Sequence, residues 1–105
     1  MADIKTLNDN FRKSFSGGKV LLTCGINAKS QADIVYILKQ VRCFDKFNED
    51  NDPYGEHDFG SFDYKEEKIY WKIDYYDKTN TYMSEDPTDV TKTNRVMTIM
   101  LANEY

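Results

Sequence analysis

Cysteine, histidine, proline and tryptophan are all scarce in this chain. Of 105 residues two are Cys, one is His, two are Pro and one is Trp. Cys24 and Cys43 stand nineteen positions apart with no CxxC spacing, so neither a zinc knuckle nor a redox pair is written here. Both are expected as reduced, buried thiols that pack as small hydrophobes. No GxSxG, HExxH or P-loop occurs, and Gly17-Gly18-Lys19 lacks the upstream glycine and following Ser or Thr that a phosphate cradle needs. No apolar run approaches the roughly 18 to 20 residues that span a bilayer. The opening Met-Ala-Asp-Ile-Lys carries no apolar leader core, and the expectation is a cytoplasmic protein without membrane contact. Internal repeats and low-complexity segments are also lacking.

What is present is aromatic and charged. Fifteen Phe, Tyr and Trp rings, and a hydrophobic fraction of 40%, suffice for one core in a single domain over residues 1–105. The net charge of −4 is unevenly spread. Residues 1–44 carry seven basic against three acidic side chains, a balance of +4; residues 45–67 carry two against nine, −7; residues 68–105 carry five against six, −1. An acidic block of this kind repels nucleic-acid phosphates and suits a basic groove on a partner.

Ile4, Leu7, Phe11 and Phe15 recur at helical spacing behind Asp3, a suitable N-cap, with Lys5, Asn8, Asp9, Arg12 and Lys13 assigned to the solvent face. Gly17-Gly18 ends this helix. Lys19 to Cys24 reads as a short buried strand, broken by Gly25. A second helix starts at Ser30 and buries Ile34, Ile37, Leu38 and Val41, with Phe44 and Phe47 suggesting one further turn. Asn48 to Glu56 reads as an ordered loop shaped by Pro53 and Gly55. Phe59–Tyr64 and Ile69–Tyr76 form a hairpin about Lys65-Glu66, the second strand alternating Ile69, Trp71, Ile73 and Tyr75 with Tyr70, Lys72, Asp74 and Tyr76. Asp77–Thr93 is a polar surface connection. Arg95–Ala102 reads as a central strand buried on both faces, a buried helix being the alternative. The fold expected is α+β, two helices on one face of an antiparallel sheet of three or four strands.

The segment Asn51-Asp52-Pro53-Tyr54-Gly55-Glu56-His57-Asp58-Phe59-Gly60 is the most concentrated chemistry in the chain. His57 lies between two carboxylates, which suits a histidinium in an ion pair better than a neutral metal ligand. In an extended chain Glu56 and Asp58 point away from His57, so the three do not converge on one ion. The calcium-loop register is missing as well. A thiol of Cys24 paired with His57 is conceivable, but the end of an apolar strand favours burial. No catalytic residue, metal or cofactor is therefore assigned. Tyr70, Tyr76 and Tyr82 beside Lys72 and Lys78 resemble a base-stacking stripe, but Asp74 and Asp77 interrupt it, and direct nucleic-acid binding is not expected.

Several blocks, in order and spacing, resemble a family of small bacterial proteins of unknown function, carried largely by proteobacteria and often on plasmids and prophages. They are Leu7-Asn8-Asp9 with Phe11-Arg12, Thr23-Cys24-Gly25-Ile26, Val41 to Phe47, Asn51 to Gly60, Trp71 to Asp77 and Arg95 to Tyr105. The resemblance implies context more than chemistry. In size and acidity the chain is also similar to anti-CRISPR proteins directed against type II RNA-guided nucleases, whose basic channels an acidic corner could occupy. On that resemblance the expected function is inhibition of a host-defence nuclease by protein binding, through Asp50, Asp52, Glu56 and Asp58, with Tyr70 and Tyr76 as contact rings. The alternatives are a nucleic-acid-binding accessory protein of plasmid or phage maintenance, and a small metal-dependent hydrolase centred on His57.

Overall fold

The structure is a computed structural model that describes residues 3–105. The first helix, α1 (Ile4–Ser14), begins where the Asp3 carboxylate accepts a hydrogen bond from the Thr6 amide at 2.8 Å, and so satisfies one of the four free N–H groups of the first turn. It ends at Phe15, which adopts a left-handed φ of 57° and donates its N–H to Phe11 O. The chain then enters β1 (Lys19–Leu22) and a single helical turn, α2 (Cys24–Asn27). The long helix α3 (Gln31–Arg42) follows, capped by Ser30, whose hydroxyl accepts from the Asp33 amide at 3.1 Å. Strands β2 (Phe59–Tyr64) and β3 (Glu67–Tyr76) form the expected hairpin. After a long connection come β4 (Asn94–Leu101) and a 3-10 turn over Ala102–Glu104.

The four strands lie in the order β1-β4-β3-β2, with β4 central. β2, β3 and β4 pair antiparallel, whereas β1 pairs parallel with β4, Lys19 opposite Val96 and Leu22 opposite Ile99. Phe11 of α1 and Ile37 and Val41 of α3 meet Ile69, Trp71, Ile73, Met97 and Ile99 in one core. Helices on one face of a mostly antiparallel sheet are the α+β arrangement that the pattern of apolar residues implied. β2 passes close over the core: a Cβ on Gly60 would lie 2.6 Å from Trp71 Nε1 and 2.7 Å from Phe44 Cε1. Only hydrogen fits between this strand and the two rings.

Four expectations are corrected. Asn8 and Arg12 of α1 are 0% and 2% exposed, not on the solvent face. β1 is an edge strand with Lys19 and Leu21 exposed, and one face of β4 is only half covered, so neither strand is fully buried. Cys24 and Cys43 are exposed, because β1 stops at Leu22 and Cys24 opens α2, while Cys43 caps the outer end of α3. Finally, the chain from Phe44 to Phe47 is irregular rather than helical. The rings of Phe44 and Phe47 still meet edge to face at 5.0 Å, and both pack on Trp71.

Candidate functional site

The segment between α3 and β2 is held from within and from below. Within it, Asn48 Oδ1 accepts from the amides of Asp50 and Asn51, and Asn51 Nδ2 donates to Lys46 O. Asp52 Oδ1 accepts from the amides of Glu56 and His57 at 2.9 and 3.1 Å. Asp52 is thus a loop-closing residue, its side chain 6% exposed. His57 takes a left-handed φ of 55°, uncommon for a residue with a Cβ and held here by its side-chain partners. Its ring stacks on Phe47 with centroids 3.7 Å apart and planes 4° from parallel. Nδ1 lies 2.9 Å from Asp9 Oδ1 and Nε2 3.6 Å from Asp52 Oδ2.

From below, α1 supplies the anchor. Asn8 Nδ2 donates to Glu56 O at 3.0 Å and to the Tyr75 hydroxyl at 2.8 Å, and its Oδ1 accepts from Arg95 Nε at 2.9 Å. One buried amide therefore ties α1, the loop, β3 and β4 together. Arg12 donates through Nη1 to Asp9 at 2.8 Å and through Nη2 to Phe44 O at 3.1 Å, and its guanidinium lies 5.3 Å from the Phe47 centroid. That carbonyl bond ties the start of the irregular Phe44–Phe47 segment to α1. Arg12 Nε and Trp71 Nε1 find no acceptor among the described residues, a desolvation cost of about 1–3 kcal/mol each.

The electrostatics follow from burial and neighbours. Asp9 loses hydration, which would raise its pKa, but the bonds from Arg12 and His57 outweigh that and hold it below the usual carboxylate range. Asp58 goes the other way: burial first, then the charge of Glu56 close by, pushes its carboxyl up. Tyr75 is driven far upward, chiefly by burial, with Asp58 and Glu56 adding to it and the Asn8 bond opposing. Its hydroxyl therefore stays a donor, and it donates to Glu56 Oε1 at 3.0 Å.

The residues expected to form one contact surface are divided by the sheet. Asp50 is exposed, Asp52 is turned inward, and Glu56 and Asp58 are half-buried around the Tyr75 hydroxyl. Tyr70 and Tyr76 lie on the opposite face of β3, the one without helices. His57 does point away from Glu56 and Asp58, as expected, although through a left-handed kink rather than strand alternation. Among the described residues no three His, Cys, Asp or Glu side chains are grouped to hold a metal ion, and no helix is long and apolar enough to cross a membrane. Asn8, Asp9, Arg12 and Arg95 were missed in the sequence. The available signal was that Asn8 and Arg12 follow Ile4 at successive steps of four, inside the stripe that also holds Phe11 and Phe15.

What the arrangement does chemically is to fix an exposed outline. Asp45, Glu49, Asp50 and Tyr54 project from the held loop, Tyr54 at 87% exposure. The hollow between Arg12, Phe47 and His57 is shallow, about 290 Å³, near the lower limit for small-molecule sites. No curated protein and no solved structure was found to match the chain. A family model does match residues 22–104, and the chain belongs to that family, described as Protein of unknown function (DUF3768).

Proposed function

We propose that the protein acts by binding another protein rather than by catalysis, and that it presents the loop of residues 45–58 to a basic surface. The observation that carries this reading is the amount of buried polar structure spent on one exposed loop: Asn8, Asp9, Arg12, Asp52 and His57 all hold it, and apart from Lys46, which lies 3.9 Å from Asp45, the charged groups left outside are carboxylates, with Tyr54 as the exposed ring. Preorganised loops with a rigid aromatic anchor bind with less ordering cost than mobile ones. The partner we propose is the nucleic-acid channel of a type II RNA-guided host-defence nuclease, whose positive lining matches Asp45, Glu49 and Asp50. Carriage on a plasmid or prophage belongs to the same reading.

The test is target cleavage by purified, guide-loaded nuclease with increasing amounts of the protein. Wild type is expected to suppress cleavage and the D45N/E49Q/D50N variant to lose at least tenfold in potency with an unchanged melting temperature. Asp52→Asn and Asp58→Asn test the internal bonds instead. Wild type that leaves cleavage untouched, or a neutralised variant that inhibits as well as wild type, sinks the reading.

A further inference from the structure

The sheet face opposite the helices is not flat. At one end Phe59, Tyr70 and Tyr105 form a cluster of edge-to-face rings over it. At the other end Asn80 and Val90 of the connection 77–93 border it, and Arg95, from the helix side of the sheet, ties the same connection by donating through Nη2 to Pro87 O. Between them lies a groove of about 740 Å³, within the range of small-ligand sites. Its floor is set by register. Lys19 of β1 faces Val96 of β4, which faces Asp74 of β3; Leu21 faces Thr98, which faces Lys72. Two strand spacings, about 10 Å, thus separate the flanking side chains of each row.

The charge of this groove is opposite to that of the protein. Lys19, Lys72 and Lys78 line it against the single carboxylate of Asp74; Arg95 also borders it, but its guanidinium is engaged on the helix side of the sheet, where Nε donates to Asn8. Lys72 is paired with Asp74 at 2.8 Å, while Lys78 donates only to the neutral Asn94 Oδ1 at 3.1 Å. Lys19 and Lys78 have no carboxylate partner among the described residues. Asp77, which in the sequence interrupts the basic stripe, does not reach the groove. Its Oδ1 accepts from Thr79 N, Thr79 Oγ1 and Thr81 N, and it lines a separate hollow with Met83, Glu85 and Lys92. The groove therefore holds an excess of two positive charges on a chain of net charge −4. Between those cations lie the ring of Tyr76 and the apolar side chains of Leu21, Val90 and Val96.

Cations around an aromatic and apolar floor match a flat base that carries phosphate. A carboxylate-rich peptide would use the lysines and leave the ring and the apolar floor unfilled. We propose that this groove binds nucleoside phosphates, with phosphate oxygens on Lys19, Lys72 and Lys78 and the base against Tyr76. A free nucleotide and a segment of single-stranded nucleic acid share that chemistry. The site lies on the other side of the sheet from the loop 45–58 and does not depend on its role.

The experiment uses the full chain with two probes, a labelled ten-nucleotide single-stranded DNA followed by fluorescence anisotropy and ADP followed by calorimetry. Binding of the oligonucleotide is expected to weaken with salt at a log–log slope of about 1.4–2.1, the value for two or three phosphates on a single strand. The K19Q/K72Q/K78Q variant, checked for an unchanged melting temperature, is expected to bind at least tenfold more weakly, and Tyr76→Leu to weaken binding at high salt as well as low. The K13Q/K46Q variant, altered on the other side of the sheet, is expected to bind as wild type. Binding of the oligonucleotide alone identifies the ligand as a strand, and binding of ADP alone as a free nucleotide. Binding of neither probe at low salt overturns the proposal. So does a triple variant that binds as wild type, an equal loss in K13Q/K46Q, or poly-glutamate competing as tightly as the oligonucleotide.

Discussion

At the scale of single residues, Asn8 is the side chain on which the most depends. Asn8→Ala removes three hydrogen bonds and leaves Arg95 Nε buried without an acceptor, a change expected to destabilise the fold by about 2–4 kcal/mol. The midpoint of urea unfolding reads this directly. Asp58 predicts the opposite sign. Its folded pKa is raised, chiefly by burial and then by Glu56, so the protonated form is the one the fold favours. That contribution is complete below the unfolded pKa and is lost as pH rises through the folded value. Asp58→Asn is therefore expected to raise the melting temperature at pH 7 and to change it little below the ordinary aspartate pKa. Thermal scans at both pH values check the difference. Neither role was legible in the sequence. Asn8 reads as solvent-facing because its partners, Glu56, Tyr75 and Arg95, are 48 to 87 positions away, and no local pattern reports a bond over that separation.

At the scale of elements, what was legible was what local geometry dictates. The three-and-four spacing of Ile4, Leu7 and Phe11, the caps at Asp3 and Ser30, and the alternation in β3 all have causes within a few residues, and all appear where expected. The parallel docking of β1 and the single turn α2 have no such cause. β1 is four residues long and takes its direction from β4, and α2 is tied to the C-terminal 3-10 turn by Glu104, which accepts from Gly25 N at 2.8 Å. The β2–β3 hairpin yields two predictions. Lys65 and Glu66 both sit at positive φ, 49° and 68°, a two-residue turn that favours glycine and asparagine. Glu66→Gly is expected to stabilise the hairpin by about 0.5–1 kcal/mol, measured by denaturant unfolding; Lys65 is left in place for its bond to Asp33. Gly60→Ala is expected to cost about 1–3 kcal/mol, the penalty for overpacking, because the rings of Trp71 and Phe44 must move aside. Near-ultraviolet circular dichroism of Trp71 reports that displacement.

At the scale of the whole molecule, the two halves of the sequence are stitched along β4. Thr23 N donates to Ile99 O, while the Glu104 carboxylate accepts from Thr23 Oγ1, Gly25 N and Leu101 N. Those bonds hold the Glu104 pKa below the ordinary glutamate value, the one to Thr23 contributing most. Its stabilisation is therefore present above the unfolded pKa and disappears as pH falls through the folded one. Protection of the amides of residues 19–28 from hydrogen exchange, taken relative to the intrinsic rate at each pH, is expected to fall in that acidic window, and to be low at neutral pH in Glu104→Gln. Unchanged protection in the variant would show that α2 holds without this carboxylate. The central position of β4 has a further consequence. It is the last strand among the described residues, yet it pairs with both β1 and β3, and the connection before it is held by short Asp–Thr turns. A cut within residues 77–93 would separate the chain into a six-element acceptor with a slot in its sheet and a short donor strand to fill it, so the domain has the layout of a split reporter whose two pieces reassemble by strand insertion.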